Sequence, residues 1–267
     1  MSITELTEKL GMAQPTISIN IQMLETAGLV ETTQRLGRGK ICARSCNSIY
    51  MELPNVSNES LEYKEIQMPV GLYSDFQVKP SCGMVGSEGV IGNIDDAPTF
   101  YLPERAAASL LWFSEDGFVE YRFPNLLKLG QAQSIQALSI SAELCSEAWS
   151  FKEDWPSDIT LSVNGIDIGT WTSPSDFGDK KGVLTPSWWH GVTQYGLLSE
   201  WRVTNDSSTV NGESCSTVTL KDLQLQYGQP IIVRFAVKPD ALNCRGMNMF
   251  GKHFGNSPQD IKLVLFR

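Results

Sequence analysis

The sequence predicts a two-domain α+β protein: an N-terminal winged helix-turn-helix followed by a mostly antiparallel β-sandwich of the jelly-roll type. Three observations predict it. The first fifty residues show helical periodicity broken by glycine, then two short alternating runs. From about Ile66 the chain changes to short β-type runs separated by turns, and all seven Trp lie there. The net charge of −9 is also uneven, because residues 1–53 balance to zero and the whole acidic excess belongs to the rest. The expected division is 1–53, a polar linker 54–65, and 66–267.

The helices come first. "SITE" (Ser2 to Glu5) fits a capping box, in which hydroxyl and carboxylate each satisfy a free backbone N–H. The helix through "ITELTEKL" ends at Gly11, which tolerates the left-handed conformation of a helix stop. A second helix starts near Pro15, whose missing N–H costs little in the first turn, and ends at Gly28. On a helical wheel Ile17, Ile21 and Leu24 form one apolar face, while Thr16, Ile19, Gln22 and Met23 point outward. "LVETTQR" and "KICARSC" around "LGRG" then read as a hairpin wing with Arg35, Arg38 and Lys40 near its tip.

The second part is read from turn chemistry and alternation. "ITLSVNG" alternates strictly, and its "NG" followed by "IDIGTW" signals a hairpin. "SLLWFS", "GFVEYRF", "SIQALSISAEL", "STVTLKDLQL", "PIIVRFAV" and "DIKLVLF" add strands without a sustained helical period.

Composition excludes several classes. With 42 % hydrophobic and 19 % charged residues the chain has enough apolar material for a sizeable core. No apolar run approaches the roughly 18 residues of a membrane span, and the polar start is unlike a signal peptide, so a cytoplasmic location is expected. Six scattered Cys do not make a disulfide scaffold, and the close pair Cys42 and Cys46 has no His nearby to complete a metal site. Two distant His, His190 and His253, argue against a metal-holding cupin. Glu143, Glu147, Asp154 and Asp158 are acids of the kind glycoside hydrolysis needs, but no spacing singles out a pair. No catalytic residue, cofactor or metal is assigned, and the chain is read as a non-enzyme.

"ITELTEKLGMAQPTISINIQMLETAGLV" and the wing after it resemble the winged helix of ArsR-type bacterial transcriptional regulators. The remainder, on "WPSDITLSVNGIDIGTWTSPSDFG" and "LTPSWW", is similar to the C-terminal domain of a smaller group of such regulators. The resemblance implies that the second helix reads the major groove through Gln14, Thr16, Ser18, Ile19 and Gln22, with Arg35, Arg38 and Lys40 on phosphates. It implies a double-stranded operator as partner. With few basic groups per subunit one copy would bind weakly, and two copies on a pseudo-palindrome would roughly double the phosphate contacts, so a homodimer is expected. The sequence departs from the family in two respects. The chain starts almost at the first helix cap, where the family has a further helix, and the helix "ITELTEKL" lacks the family's metal-binding Cys.

The β-rich part has its own candidate site. Trp149, Trp155, Trp171, Trp188, Trp189 and Trp201 interleave with Asp154, Asp158, Asp176 and Asp179. Indole faces stack on sugar rings and carboxylates accept their hydroxyls, so Trp155, Asp158, Trp171, Trp188, Trp189 and His190 are the expected contacts of a small sugar-like effector. Large aromatics also fill sandwich cores. The competing reading is a carbohydrate-binding or carbohydrate-processing β-sandwich with a vestigial helix-turn-helix.

Overall fold

The computed structural model describes residues 1–35, 39–45, 63–130 and 134–267. They fall into two units, Met1–Glu59 and Ser60–Arg267.

In the first unit α1 (Ile3–Leu10) starts at Ser2, whose Oγ accepts the Glu5 N–H at 3.2 Å while Glu5 Oε2 accepts the Ser2 N–H at 2.7 Å. The capping box read from "SITE" is therefore present, and α1 stops at Gly11 with φ +62°. Helix α2 (Gln14–Thr26) has Ala13 at its cap, with no side-chain bond there. Strands β1 (Val30–Arg35) and β2 (Gly39–Arg44) pair antiparallel from Val30↔Arg44 to Arg35↔Gly39. Arg38, assigned to the wing tip, and Cys46 lie outside the described residues.

This unit corrects the expected winged helix-turn-helix. Among the described residues it has two α-helices, and Ile17 is its single buried apolar side chain. Of the predicted face, Leu24 is 38 % exposed; Leu10, Met12, Ile19 and Met23 are exposed too. Burying one Ile contributes about 1.5–3 kcal/mol, which ordering one or two residues of backbone offsets. A regulator of the expected kind needs a third helix to close a core over α2, and the described residues supply none.

The second unit contributes thirteen strands among the described residues. The first are β3 (Tyr63–Met68), β4 (Asp75–Val85), β5 (Val90–Ile91) and β6 (Leu110–Phe123). Next come β7 (Ala137–Cys145), β8 (Ser157–Val163), β9 (Ile166–Ser173) and β10 (Leu197–Thr204). The last are β11 (Ser208–Val210), β12 (Glu213–Ser216), β13 (Ile231–Val237), β14 (Met247–Phe250) and β15 (Ile261–Phe266). All pair antiparallel, in the order β12-β11-β10-β7-β14-β6-β13-β8-β9, with β15 joining β3 to β7 and β4 joining β5 to β6.

The expected jelly-roll sandwich is thus corrected to one continuous sheet that curls round its own core, close to a barrel. The β14 strand is the seam: Met247–Phe250 pairs with β6 on one side, and Asn248 to Phe250 pairs with β7 on the other. The curl brings distant strands together. Trp201 of β10 meets Phe235 of β13 edge-on at 5.9 Å and donates its indole N–H to the Gly169 carbonyl of β9 at 3.0 Å.

Alternation explains the inward faces. Ile231, Val233, Phe235 and Val237 of β13 are buried, while Ile232, Arg234 and Ala236 between them are only partly so. The β8–β9 turn at Asn164-Gly165 has φ of +51° and +82°, as the "NG" dipeptide demands. Strand β7 is buried along its whole length. Its apolar residues Leu138, Ile140, Ala142 and Leu144 face the core, and its polar ones are fastened to covering segments. Ser139 bonds Glu200, and Ser141 Oγ accepts from Gln259 at 3.0 Å. Glu143 accepts the backbone N–H groups of Gly196, Asn256 and Ser257. No helix among the described residues is long and apolar enough to cross a membrane.

Phe235 is fully buried between Tyr121 and Trp201. Phe235→Ala is expected to destabilise unit 2 by about 3–5 kcal/mol, through lost burial and the cavity left behind. Urea unfolding followed by Trp fluorescence checks this, and a loss under about 1 kcal/mol would mean the core is not closed there.

Candidate functional site

Beyond the end of β7 the chain leaves the sheet through residues 146–150, and a second segment, 174–195, returns beside it before β10. The two form the walls of a cleft of about 370 Å³. Trp149 stands on one wall and Trp189 on the other. Trp112 of β6 and Asn248 of β14 line it from the sheet, and Glu147 and Thr193 supply oxygens.

The aromatic floor rests on a small second core. Trp112 packs there with Val85, Leu110, Cys145, Phe250 and Phe254, and Trp189 lies against that cluster. The Trp112 and Trp189 rings are 5.9 Å apart at 53°. Gly83 makes this placement possible, because a Cβ there would stand 2.4 Å from Trp112 Cζ2. Trp189 donates its indole N–H to the Thr193 carbonyl at 2.8 Å. Trp149, in contrast, is 87 % exposed.

A buried carboxylate holds the walls together. Asp176 is fully buried, and its Oδ2 accepts the Ala148 N–H at 2.9 Å and the Thr193 hydroxyl at 3.0 Å. One bond lies next to Trp149 and the other in the loop of Trp189. Burial drives the Asp176 pKa up to about 7, against the lowering effect of these two bonds. Glu147 is 7 % exposed, and its Oε2 accepts from Asn248 Nδ2 at 2.8 Å. Burial pushes the Glu147 carboxyl well above the usual range, and the charge of Asp176 adds to it. Burial likewise raises the Cys145 thiol far above its ordinary value, with Sγ 4.0 Å from Asp176.

The six residues expected to contact a ligand are distributed unevenly. Trp189 lines the cleft. Trp188 lies edge-on to it at 5.8 Å, with its N–H pinned to the Ser87 carbonyl at 3.2 Å. His190 is exposed beside them, Nδ1 2.9 Å from the Trp188 carbonyl oxygen. Trp155 already has Lys152 and Arg245 over its ring at 4.0 and 4.1 Å, and its N–H goes to the Glu147 carbonyl at 2.7 Å. Asp158 fastens Thr172 at 2.7 Å and the Asn243 N–H at 2.9 Å. Trp171 packs against the main core. Trp112, Asn248 and Thr193 went unread. Trp112 is hidden within an apolar strand run, and the other two come from segments whose meeting is purely tertiary.

In unit 1, Gln14, Thr16, Ile19 and Gln22 are exposed on α2, and half-buried Ser18 donates its hydroxyl to the Gln14 carbonyl at 3.0 Å. Lys40 forms an ion pair with Glu25 at 3.3 Å, and Arg35 closes the β1–β2 pairing opposite Gly39.

No protein-family model matches this chain, and no curated protein does. Solved structures do, at low similarity. One is the CBM36-1 domain of a multidomain xylanase from the hindgut metagenome of Trinervitermes trinervoides: 10 % identity, TM-score 0.29, covering 76 % of this chain and 96 % of that one. The Agl-KA catalytic domain is 7 % identical with TM-score 0.30, covering 81 % of this chain and 30 % of that one. The Trypanosoma rangeli sialidase in complex with sialic acid is 10 % identical with TM-score 0.25, covering 59 % and 25 %. Likeness at this level places no residue and no activity in the present chain.

The regulator reading is corrected on the geometry of the unit meant to carry it. That unit has two α-helices and one buried apolar side chain among the described residues. Its Ser18 and Lys40 are engaged within the unit. The operator partner, the DNA contacts at Gln14, Thr16, Ser18, Ile19, Gln22, Arg35, Arg38 and Lys40, and the homodimer inferred from them are withdrawn.

The carboxyl of Asp176 titrates near 7 in the folded protein and near 3.8 when free, so folding favours its protonated form. That stabilisation is complete below the free value and is lost as pH rises through about 7. Asp176→Asn cannot titrate. Its stability relative to wild type is expected to improve between pH 4 and 8, by at most on the order of 4 kcal/mol. Thermal unfolding across that range reads the difference, and a pH-independent gap would show that Asp176 does not titrate there.

Proposed function

We propose that unit 2 is a carbohydrate-binding domain and that the cleft between Trp149 and Trp189 is where a sugar chain lies. One observation carries the reading: three indoles, Trp112, Trp149 and Trp189, line a single open cleft together with hydrogen-bonding groups of Glu147, Thr193 and Asn248. A pyranose ring has one face of C–H groups and a rim of hydroxyls. Stacking the face on indole removes apolar surface from water at about 25 cal/mol per Å², while the rim needs donors and acceptors close by. Trp149, 87 % exposed, offers such a surface to an incoming ring.

Binding rather than bond cleavage is the reading these groups support. Hydrolysis of a glycoside takes two carboxyl groups flanking the bond, roughly 5–10 Å apart. Glu147 is the carboxylic acid among the lining residues. Glu143 and Asp158 are engaged by backbone N–H groups elsewhere.

Affinity electrophoresis in gels containing soluble polysaccharides tests the proposal. Wild type is expected to be retarded by at least one of them. Trp149→Ala and Trp189→Ala should each weaken binding about 5- to 10-fold, the effect of roughly 1–1.4 kcal/mol of lost stacking. His190→Ala should leave it unchanged. A protein retarded by none of the polysaccharides, or insensitive to Trp149→Ala, would defeat the proposal.

A further inference from the structure

We infer that the cleft takes a sugar carrying a protonated amine in preference to a neutral or an acidic one. The inference rests on the carbohydrate reading and names the ligand class within it.

None of the residues lining the cleft is Lys, Arg or His. Of the Lys and Arg within three positions of a lining residue, Lys79 pairs with Glu115 and Asp116, and Lys152 and Arg245 are turned onto the ring of Trp155. Glu147, 7 % exposed, lines the cleft nonetheless, and Asn248 is the one hydrogen-bond partner of its side chain among the described residues. The groups facing it from neighbouring elements are acidic or neutral. Asp176 and Asp95 act on it as like charges, Cys145 lies at the end of β7, and Asn248 sits on β14.

Three indoles line the same cleft as this acid. An indole attracts a cation lying over its face. A neutral sugar would use the rings and draw no charge interaction from the acid. A uronic or sialic acid would set a negative group beside an acid that burial already makes hard to ionise, in a cleft whose lining holds no Lys or Arg. An ammonium satisfies both features together, since it sits over the rings and pairs with the Glu147 carboxylate.

A proton balance follows. Burial, with the charge of Asp176 adding to it, raises the Glu147 pKa and so favours the protonated carboxyl when no ligand is bound. An ammonium beside it favours the carboxylate, so binding lowers that pKa and drives the carboxyl toward releasing its proton.

Isothermal titration calorimetry of the full chain near pH 6 tests this with four oligosaccharides of equal length. They are a fully deacetylated chito-oligosaccharide, its N-acetylated form, a cello-oligosaccharide and an oligogalacturonate. The deacetylated sugar is expected to bind about tenfold tighter than the N-acetylated and neutral ones, and the oligogalacturonate weakest. Repeating the titration in two buffers of different ionisation enthalpy should show proton release for the amine alone. Glu147→Gln should bring the ratio of deacetylated to N-acetylated affinity close to one. Proton release is read on the wild type, so the test does not depend on how well that variant folds. Equal binding of neutral and amino sugars, or no proton release, would overturn this inference and leave the carbohydrate reading intact. Failure of every oligosaccharide to bind would overturn both.

Discussion

The Asp176 carboxylate, fully buried, ties together two segments that belong to no strand. It takes the N–H of Ala148 from one and the hydroxyl of Thr193 from the other, and each segment carries a tryptophan of the cleft. The same loop is anchored by the stacked rings of Phe177 and Tyr195 at 5.0 Å, and by the Tyr195 hydroxyl on Asp179 at 2.9 Å. A carboxylate in so dry a place makes strong hydrogen bonds and carries a large desolvation cost. Protonation of Asp176 therefore bears directly on the two hydrogen bonds that tie the walls together.

The fold explains why the cleft lies where it does. Curling one antiparallel sheet round its core needs a strand that can pair with both halves, and β14 fills that role over four residues. Asn248, on that seam, donates to the Ser146 carbonyl and to Glu147, both at 2.8 Å. The joint of the sheet and the floor of the cleft therefore share a side chain. Elsewhere the polar positions of β7 are consumed in holding loops against the sheet, as Glu143 does with three backbone N–H groups. That strand reads as a core strand although every second residue is polar.

Local chemistry was legible in the sequence. The Ser2–Glu5 capping box, the Gly11 stop and the Asn164-Gly165 hairpin are decided within a few residues, and spacing reveals them. Trp149 and Trp189 stood within a visible cluster of aromatics and acids. What spacing conceals is which strands meet. Trp112 looked like one more apolar residue in "SLLWFS" and instead faces the second core and the cleft. Trp155 and Asp158 looked available and are engaged by Arg245, Lys152 and Asn243, partners near and far in sequence. The helical pattern of the first fifty residues misled for the same reason. Periodicity shows that a helix has an apolar face, but not that anything covers it, and Leu24 of that face remains 38 % exposed.

The most direct test of the account is the set of seven indole N–H resonances in a ¹H–¹⁵N spectrum, assigned by single Trp→Phe substitutions. Titration with a soluble oligosaccharide that the domain binds should move the signals of Trp149, Trp189 and Trp112. Those of Trp171 and Trp201, which are packed in or against the main core, should stay in place. Shifts confined to the second group would contradict the account and put the binding surface on another face of the sheet.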